Sequence, residues 1–167
     1  TYNNALALYI KSSKLSSLNI IGIDFHIGSQ ITSIQPYLDS IKSVRSLVSE
    51  LKKENINITH IDVGGGLGIS YEDEDIVSKA DYIKEITNSL KDLNLTILFE
   101  PGRSVIGDCG LLVTKLQYIK ESETKNFMII DASMSELLRP PLYDAFHKIT
   151  PVIKRNTSYK TCLLYTS

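Results

Sequence analysis

Apolar, strand-like runs alternate with longer amphipathic segments through the first two thirds of the chain. Three short runs rich in β-branched residues are typical of buried strands: 20–25, 58–63 and 95–99. Three segments with apolar residues at helical spacing predict helices: 5–15, a helix that starts near Pro36, and 80–93. Because helices separate the apolar strands, the pattern favours a parallel sheet that is covered on both faces.

The apolar positions also predict which side of each helix is buried. The helix that starts at Pro36 has one apolar face, made of Tyr37, Leu38, Ile41, Val44, Leu47, Val48 and Leu51. In the helix over 80–93, the predicted buried residues are Ile83, Ile86 and Leu90.

The pattern changes after about Gly107. The runs 111–119 and 127–131 look like strands with no helix between them, which indicates a second, β-rich domain. Each of the three earlier strands ends in a polar or glycine-rich loop, as at the active-site end of an α/β barrel. We therefore predict an α/β fold of the barrel type for residues 1–107. Residues 108–167 would begin a C-terminal β domain.

Composition narrows the function classes only slightly. The 167 residues are 43% hydrophobic and 22% charged, with a net charge of −1, so no overall basic field attracts nucleic acid or a membrane surface. No apolar run approaches the roughly 18 residues of a membrane span. Cys109 and Cys162 have no paired spacing, which favours a reducing, cytoplasmic location. The chain does not begin with Met, so we expect its true start to lie upstream.

The glycine cluster at 64–68 has two interpretations. Glycines let backbone N–H groups approach an anion closely, which suits a phosphate. The alternative is a tight turn between a strand and a helix. No Lys-Ser/Thr pair follows as in a nucleotide-binding P-loop, and the dinucleotide-binding glycine pattern fails at Ile69.

Titratable side chains follow the other two strands. Glu100 suits a protonated ring nitrogen, while Arg103 and the Gly102 N–H suit an anionic oxygen; the alternative is an ion pair between Glu100 and Arg103. His26 could stack on a ligand, transfer a proton or be a buried, hydrogen-bonded histidine. We predict no metal site, because the histidines lie far apart in sequence and lack a carboxylate or thiol at ligand spacing.

A second candidate segment contains Arg139 and Tyr143, separated by Pro140, Pro141 and Leu142. Prolines are expected to keep this segment from forming a regular helix. A guanidinium and a phenol both suit a carboxylate ligand, and the alternative is a surface loop with a packed tyrosine. The acidic run 72–75 is predicted to be a solvated loop.

Five ordered motifs resemble those of a known family: His26–Gln30, Gly64–Gly68, Glu100–Ser104, Asp131–Met134 and Arg139–His147. The family is that of the fold-type III pyridoxal-phosphate decarboxylases, which have barrels like that of alanine racemase. The resemblance covers about residues 1–155 and is nearest to the diaminopimelate branch. It implies that residues 1–107 are the later strands of a partial (β/α)8 TIM barrel. It implies pyridoxal 5′-phosphate as the cofactor and a homodimer that converts meso-2,6-diaminopimelate, an amino-acid substrate, to L-lysine and CO2.

The resemblance also implies a role for each matching residue. His26 would stack on the pyridine ring and Glu100 would keep its nitrogen protonated. The phosphate end would be surrounded by Ser29, Gly66, Gly102 and Arg103, with Pro101 in the same turn. The distal carboxylate of the substrate would be bound by Arg103, Arg139 and Tyr143. Two rival functions stay open: a decarboxylase for ornithine, arginine or carboxynorspermidine, and a non-catalytic pyridoxal-phosphate carrier, which is not expected to continue into a β domain.

The chain departs from the family pattern in three respects. The lysine that binds the cofactor covalently is expected upstream of Thr1, and the later Cys-Glu-Ser-type motif is missing, so we expect this chain alone to be inactive. The tail from about residue 156 leaves the pattern, and Cys162 does not match that motif. Ser133 replaces the usual Gly in a loop that we expect to need positive φ, and Ser135-Glu136 replaces Asn-Asp.

Overall fold

Helices and strands alternate along most of the chain in the computed structural model, which describes residues 2–153 and 163–165. In chain order the elements are α1 (Tyr2–Ser12), β1 (Gly22–Asp24), α2 (Gln35–Lys53), β2 (His60–Asp62), α3 (Lys79–Leu90), β3 (Thr96–Leu98), α4 (Arg103–Ile106), β4 (Leu116–Lys120), β5 (Phe127–Ile130), α5 (Arg139–Tyr143) and β6 (Leu163–Tyr165). A 3-10 turn, Lys91–Leu93, continues α3. Cys162 and most of the tail from residue 156 lie outside the described residues.

The chain forms two compact units. The first contains Thr1–Ser70 and Glu74–Cys109, and the second contains Tyr71–Asp73 and Gly110–Ser167. The domain boundary that the sequence places after Gly107 stays a prediction about the intact protein. None of the described helices combines the length and the apolarity that crossing a bilayer requires.

The sheet of the first unit is parallel, as the sequence predicts. Its strand order is β1-β2-β3, and Gly22, Ile23 and Asp24 lie opposite His60, Ile61 and Asp62. Side chains alternate between the faces of a strand, so Ile23 and Ile61 point into the apolar core with residues of α2 and α3. The sheet is not covered on both faces within the described residues, because Asp24, Thr96 and Leu98 on the second face are exposed.

The long helix α2 is close to its prediction. Pro36 lies in its first turn, where the missing N–H costs no helical hydrogen bond. Its buried residues are Tyr37, Ile41, Val44, Leu47 and Leu51. They lie at i, i+4, i+7, i+10 and i+14, the spacing of one helical face. Leu38 and Val48 are half-buried at the edges of this face.

The prediction for α3 is wrong at one position. Ser78 caps this helix by accepting a hydrogen bond from the Asp81 N–H at 3.0 Å. The buried residues are Tyr82, Ile86 and Leu90, whereas Ile83 is 43% exposed. A residue four positions before Ile86 lies on the same helical face, and the residue three before lies at its edge. Tyr82 therefore takes the core position that the sequence pattern assigned to Ile83.

The sheet of the second unit is mixed. β5 pairs antiparallel with β4 and parallel with β6, and the register between β4 and β5 shifts near Leu116. The predicted strand over 111–119 is shorter at its start, because β4 begins only at Leu116 and Leu111 is 95% exposed.

The segment with the two prolines is a short helix, α5, contrary to the prediction. Pro140 and Pro141 fall in its first turn. The first four N–H groups of any helix lack a partner within the helix, so prolines there remove no hydrogen bond. The helix ends after Tyr143, where Asp144 has a φ of 50°.

Candidate functional site

Six of the predicted site residues lie in the loops that follow β1, β2 and β3, and a seventh, Arg103, begins the helix α4 directly after the third loop. Parallel strands bring their carboxyl ends to one edge of the sheet. His26 and Ser29 follow β1, Gly66 follows β2, and the turn Glu100–Arg103 follows β3. The structure therefore places all of these predicted cofactor-binding residues at one edge of the first unit.

The glycine cluster packs tightly between the other two loops. Gly64 and Gly66 have φ of 67° and 94°, which other residues rarely adopt. A Cβ atom at Gly65 would overlap the carbonyl oxygen of Glu100, and one at Gly66 would overlap that of Gly28. The tight-turn interpretation thus explains why these positions need glycine, and the same close packing brings the three loops together.

Tyr37 connects this cluster to the core. Its ring is fully buried in α2 and meets the ring of Tyr82 edge to face, with centroids 4.8 Å apart. The Tyr37 hydroxyl donates to the Gly65 carbonyl at 3.0 Å. Burial raises the pKa of the Tyr37 phenol, so it remains a donor at neutral pH. The position of the glycine cluster is therefore tied to the packing of α2 and α3.

His26 is exposed, which excludes the interpretation as a buried, hydrogen-bonded histidine. Its Nδ1 accepts a hydrogen bond from the Gly65 N–H at 3.3 Å, so this nitrogen carries no proton in that arrangement. The bond fixes the ring beside the glycine cluster with its surface open to solvent. This placement suits a ring that stacks on a planar ligand.

Two residues predicted to bind phosphate are in direct contact. The Arg103 guanidinium donates through Nη2 to the Ser29 hydroxyl, so the first and third loops are joined by a side-chain hydrogen bond. Gly102 directly precedes the short helix α4, which starts at Arg103. A hydroxyl, a guanidinium and backbone N–H groups are all donors that suit an anionic oxygen.

Three carboxylates approach one another near the same edge. One oxygen from each of Asp24, Asp62 and Glu100 lies within 4.8 Å of the other two. Asp62 also accepts a hydrogen bond from the Gly64 N–H at 2.9 Å. Carboxylates this close favour a positively charged group beside them. Sequence reasoning missed Asp24 and Asp62, although both alternate with core isoleucines and so had to lie on the opposite face of the sheet.

Arg139 and Tyr143 lie together in the second unit. The Arg139 guanidinium carbon is 5.4 Å from the centroid of the Tyr143 ring, and its Nη2 donates to the Tyr71 hydroxyl at 3.2 Å. The Tyr71 ring lies beside His147, with centroids 6.1 Å apart. Sequence reasoning missed Tyr71, because its 68-residue separation from Arg139 carries no local signal.

The environment of Arg139 leaves one donor unused. Its Nε is buried and has no hydrogen-bond partner among the described residues. Tyr143 is 65% exposed, so it is not the packed tyrosine of the surface-loop alternative. An unsatisfied buried donor costs free energy that an acceptor would restore.

Ser133 and Glu136, which both differ from the family pattern, are joined by hydrogen bonds. The Ser133 hydroxyl and N–H both donate to the Glu136 carboxylate at 2.6 Å. These bonds lower the pKa of Glu136. Ser133 is not among the residues with positive φ, so the expected conflict with a left-handed backbone does not arise.

The known proteins that this chain resembles are pyridoxal-dependent decarboxylases. A family model for the pyridoxal-binding domain of pyridoxal-dependent decarboxylases matches residues 1–107. The diaminopimelate decarboxylase of Pseudomonas aeruginosa is 42% identical over 156 residues, which are 93% of this chain and 38% of that protein. The diaminopimelate decarboxylase of Vibrio cholerae is 41% identical over 162 residues, or 96% of this chain and 39% of that protein.

A solved structure is also similar. The diaminopimelate decarboxylase of Helicobacter pylori, complexed with L-lysine, superimposes with a TM-score of 0.85 at 37% identity. The match covers 93% of this chain and 39% of that one. The chain thus spans about two fifths of the length of these relatives.

Proposed function

Because this chain belongs to the pyridoxal-dependent decarboxylase family, we propose that the intact protein converts meso-2,6-diaminopimelate to L-lysine and CO2. The main support is that the carboxyl ends of three adjacent parallel strands bring together His26, the glycine cluster, Glu100 and Arg103. Diaminopimelate decarboxylases that are about 40% identical over most of this chain support the choice of substrate.

The three strands of the first unit are, in this proposal, consecutive later strands of a (β/α)8 barrel. The parallel order β1-β2-β3 with intervening helices supports this. The sheet face that no described helix covers would line the barrel interior. The second unit would be the start of a C-terminal β domain, and the intact enzyme would be a homodimer.

The residues at the strand ends fit pyridoxal 5′-phosphate. Ser29, Gly66, Gly102 and Arg103 would hold the phosphate end, and the exposed His26 ring would stack on the pyridine ring. When it is bound, the cofactor supplies an electron sink for the electron pair left by the departing CO2.

Glu100 would keep the ring nitrogen of the cofactor protonated. A carboxylate beside a basic nitrogen raises its proton affinity through charge pairing. Asp24 and Asp62 add negative charge within 4.8 Å of Glu100 and strengthen this effect. Such an interaction lowers the energy of the transition state more than that of the bound substrate.

Arg139 and Tyr143 would bind the carboxylate at the end of the substrate that does not react, a role that the family resemblance also gives to Arg103. Diaminopimelate has that carboxylate, whereas lysine and ornithine lack it. The buried Arg139 Nε, which has no partner among residues 2–153, supports an acceptor at this position. Recognition of the second carboxylate would therefore separate this enzyme from decarboxylases of diamino monocarboxylic acids.

The experiment is a substrate comparison with the full-length protein. None of the loops that follow the three parallel strands (25–34, 63–78 and 99–102) contains a lysine, so the assay needs the complete chain. CO2 release would be measured from diaminopimelate, lysine, ornithine and arginine, with and without added pyridoxal 5′-phosphate. We expect cofactor-dependent release from diaminopimelate. A preference for ornithine or arginine would refute the substrate, and release from no substrate by cofactor-loaded protein would favour the carrier.

A further inference from the structure

Gln30 makes a two-point contact with the backbone of the segment that follows the glycine cluster. Its side-chain Nε2 donates to the Ile69 carbonyl at 2.6 Å, and its Oε1 accepts from the Ile69 N–H at 3.4 Å. A primary amide presents one donor and one acceptor side by side, as a peptide group does. The Gln30 side chain thus takes the place of a backbone segment in a β-bridge.

This contact extends a short backbone pairing between the first two loops. The Ile31 N–H donates to the Gly66 carbonyl and the Gly68 N–H donates to the Ile31 carbonyl, each at 2.9 Å. Ile31 and Leu67 form an isolated parallel bridge. We call these bonds, together with the two bonds of Gln30, the loop clamp.

The local backbone is arranged around the Gln30 amide. Gln30 has a φ of 58°, which is unfavourable for a residue other than Gly, Asn or Asp. A Cβ at Gly68 would lie 3.3 Å from both Cδ and Nε2 of Gln30, so the absence of a side chain at Gly68 leaves room for the amide. Strain of this kind persists only where the surroundings hold it in place, and the loop clamp does so here.

The loop clamp lies directly beside the candidate phosphate residues. Ser29, which bonds Arg103, immediately precedes Gln30 in the chain. Gly66 is itself part of the loop clamp. A change in the contact between Gln30 and Ile69 would therefore alter the separation of Ser29 and Gly66, which come from different strand ends.

We propose that Gln30 is a positioning residue that fixes the spacing of the two loops around the phosphate end of the cofactor. It acts through Ser29 and Gly66 and does not itself touch the cofactor. This inference rests on the proposed cofactor site and goes beyond it by assigning the geometry of the phosphate-binding loops to one amide side chain.

The test uses the full-length apoprotein and three variants. Gln30→Ala removes both hydrogen bonds. Gln30→Glu preserves the shape but places a carboxylate oxygen against the Ile69 carbonyl, so the donor is lost. Gln35→Ala is the matched control, because the hydrogen bond that the structure describes for the Gln35 amide is to the exposed carboxylate of Asp39, at 3.0 Å in the first turn of α2. Dissociation constants are measured for pyridoxal 5′-phosphate and for pyridoxal, which lacks the phosphate.

We expect Gln30→Ala and Gln30→Glu to weaken binding of pyridoxal 5′-phosphate about tenfold, the loss expected for one or two hydrogen bonds. Binding of pyridoxal should change by less than about twofold, because pyridoxal lacks the phosphate that Ser29 and Gly66 would contact. Gln35→Ala should match the wild type for both compounds. If the Gln30 side chain only filled space, Gln30→Glu, which has nearly the same shape, would bind pyridoxal 5′-phosphate as tightly as the wild type.

Three results would overturn the inference. These are wild-type affinity in Gln30→Glu, equal losses for pyridoxal 5′-phosphate and pyridoxal, and equal behaviour of Gln30→Ala and Gln35→Ala. If Gln30→Ala does not fold, the test uses Gln30→Glu and hydrogen exchange of the Ile69 amide in the wild type. If that amide exchanges as fast as in an unprotected peptide, the loop clamp does not form and the inference is refuted. A wild type that binds pyridoxal 5′-phosphate no better than pyridoxal would refute the proposed site itself.

Discussion

The two units of the chain hold their candidate residues by different means. In the first unit, α2 and α3 bury an apolar core against the parallel sheet, and Tyr37 connects that core to the glycine cluster by a hydrogen bond. In the second unit, β4 is exposed along its whole length, and the buried apolar residues that the structure describes are Ile130 and Ala132. Arg139 is held there by the side chains of Tyr71 and Tyr143.

Because of this difference, we expect the two units to respond differently to substitution. Loops that extend from a packed core keep their geometry because the core resists rearrangement. A guanidinium held by two aromatic side chains depends on a few individual contacts. Core substitutions in the first unit should therefore affect folding and cofactor binding, whereas substitutions around Arg139 should affect the choice of substrate.

The largest expected effect is the loss of a core side chain from the first unit. Leu51 in α2 is fully buried, and Leu51→Ala should lower the local free energy of unfolding by about 2–5 kcal/mol through the cavity that it leaves. Ile119→Ala in β4, where the residue is 48% exposed, should cost less than about 1 kcal/mol. Native-state hydrogen exchange of amides in α2 and β4 of the full-length protein measures both. Equal losses of unfolding free energy in the two variants would mean that β4 is buried in the intact protein and that the two units do not differ in packing.

Removal of the Arg139 guanidinium should have the next largest effect. Losing a charge-assisted hydrogen bond to a carboxylate costs about 1.5–3 kcal/mol, so Arg139→Ala should reduce kcat/KM for diaminopimelate by about one to two decades. The preference for diaminopimelate over lysine and ornithine should decrease, because the charge proposed to bind the second carboxylate is gone. Steady-state kinetics on the three substrates measures this. An equal loss on all three would show that Arg139 has only a structural role.

The contact between Tyr71 and Arg139 should contribute less. Tyr71→Phe removes the hydroxyl that accepts from the guanidinium, and we expect kcat/KM for diaminopimelate to fall by up to about tenfold, mainly through KM. Tyr118→Phe is the control, since Tyr118 is 59% exposed in β4. If Arg139→Ala impairs the enzyme and Tyr71→Phe does not, the guanidinium is held by other contacts.

The smallest expected effect concerns the motif of Ser133 and Glu136. Hydrogen bonds from Ser133 lower the pKa of Glu136. A carboxyl group with a lowered folded-state pKa stabilises the fold above its unfolded-state pKa, and this contribution is lost as pH falls through the folded-state pKa. Ser133→Ala should therefore raise the pKa of Glu136, with Ser135→Ala as the control. NMR titration of the Glu136 carboxyl measures the shift, and identical titrations in both variants would contradict the assignment.

Sequence periodicity predicted the parallel sheet and the buried face of α2, because both depend on local apolar spacing. It failed at Ile83, where neighbouring positions differ by only about a third of a turn, and at α5, where prolines fall in a first turn that does not need their N–H groups. The contacts of Gln30 with Ile69 and of Arg139 with Tyr71 join residues 39 and 68 positions apart. No local pattern encodes such contacts, so they required the folded chain.

We propose that the strand-end loops bind the cofactor with Glu100 at its ring nitrogen, and Glu100→Gln in the full-length protein tests this placement. The amide keeps the shape but loses the charge that favours the ring proton. We predict that kcat falls by about 10²–10³ while the dissociation constant of pyridoxal 5′-phosphate changes by less than about tenfold. Weakened cofactor binding with normal turnover of the loaded enzyme would show that Glu100 is only structural.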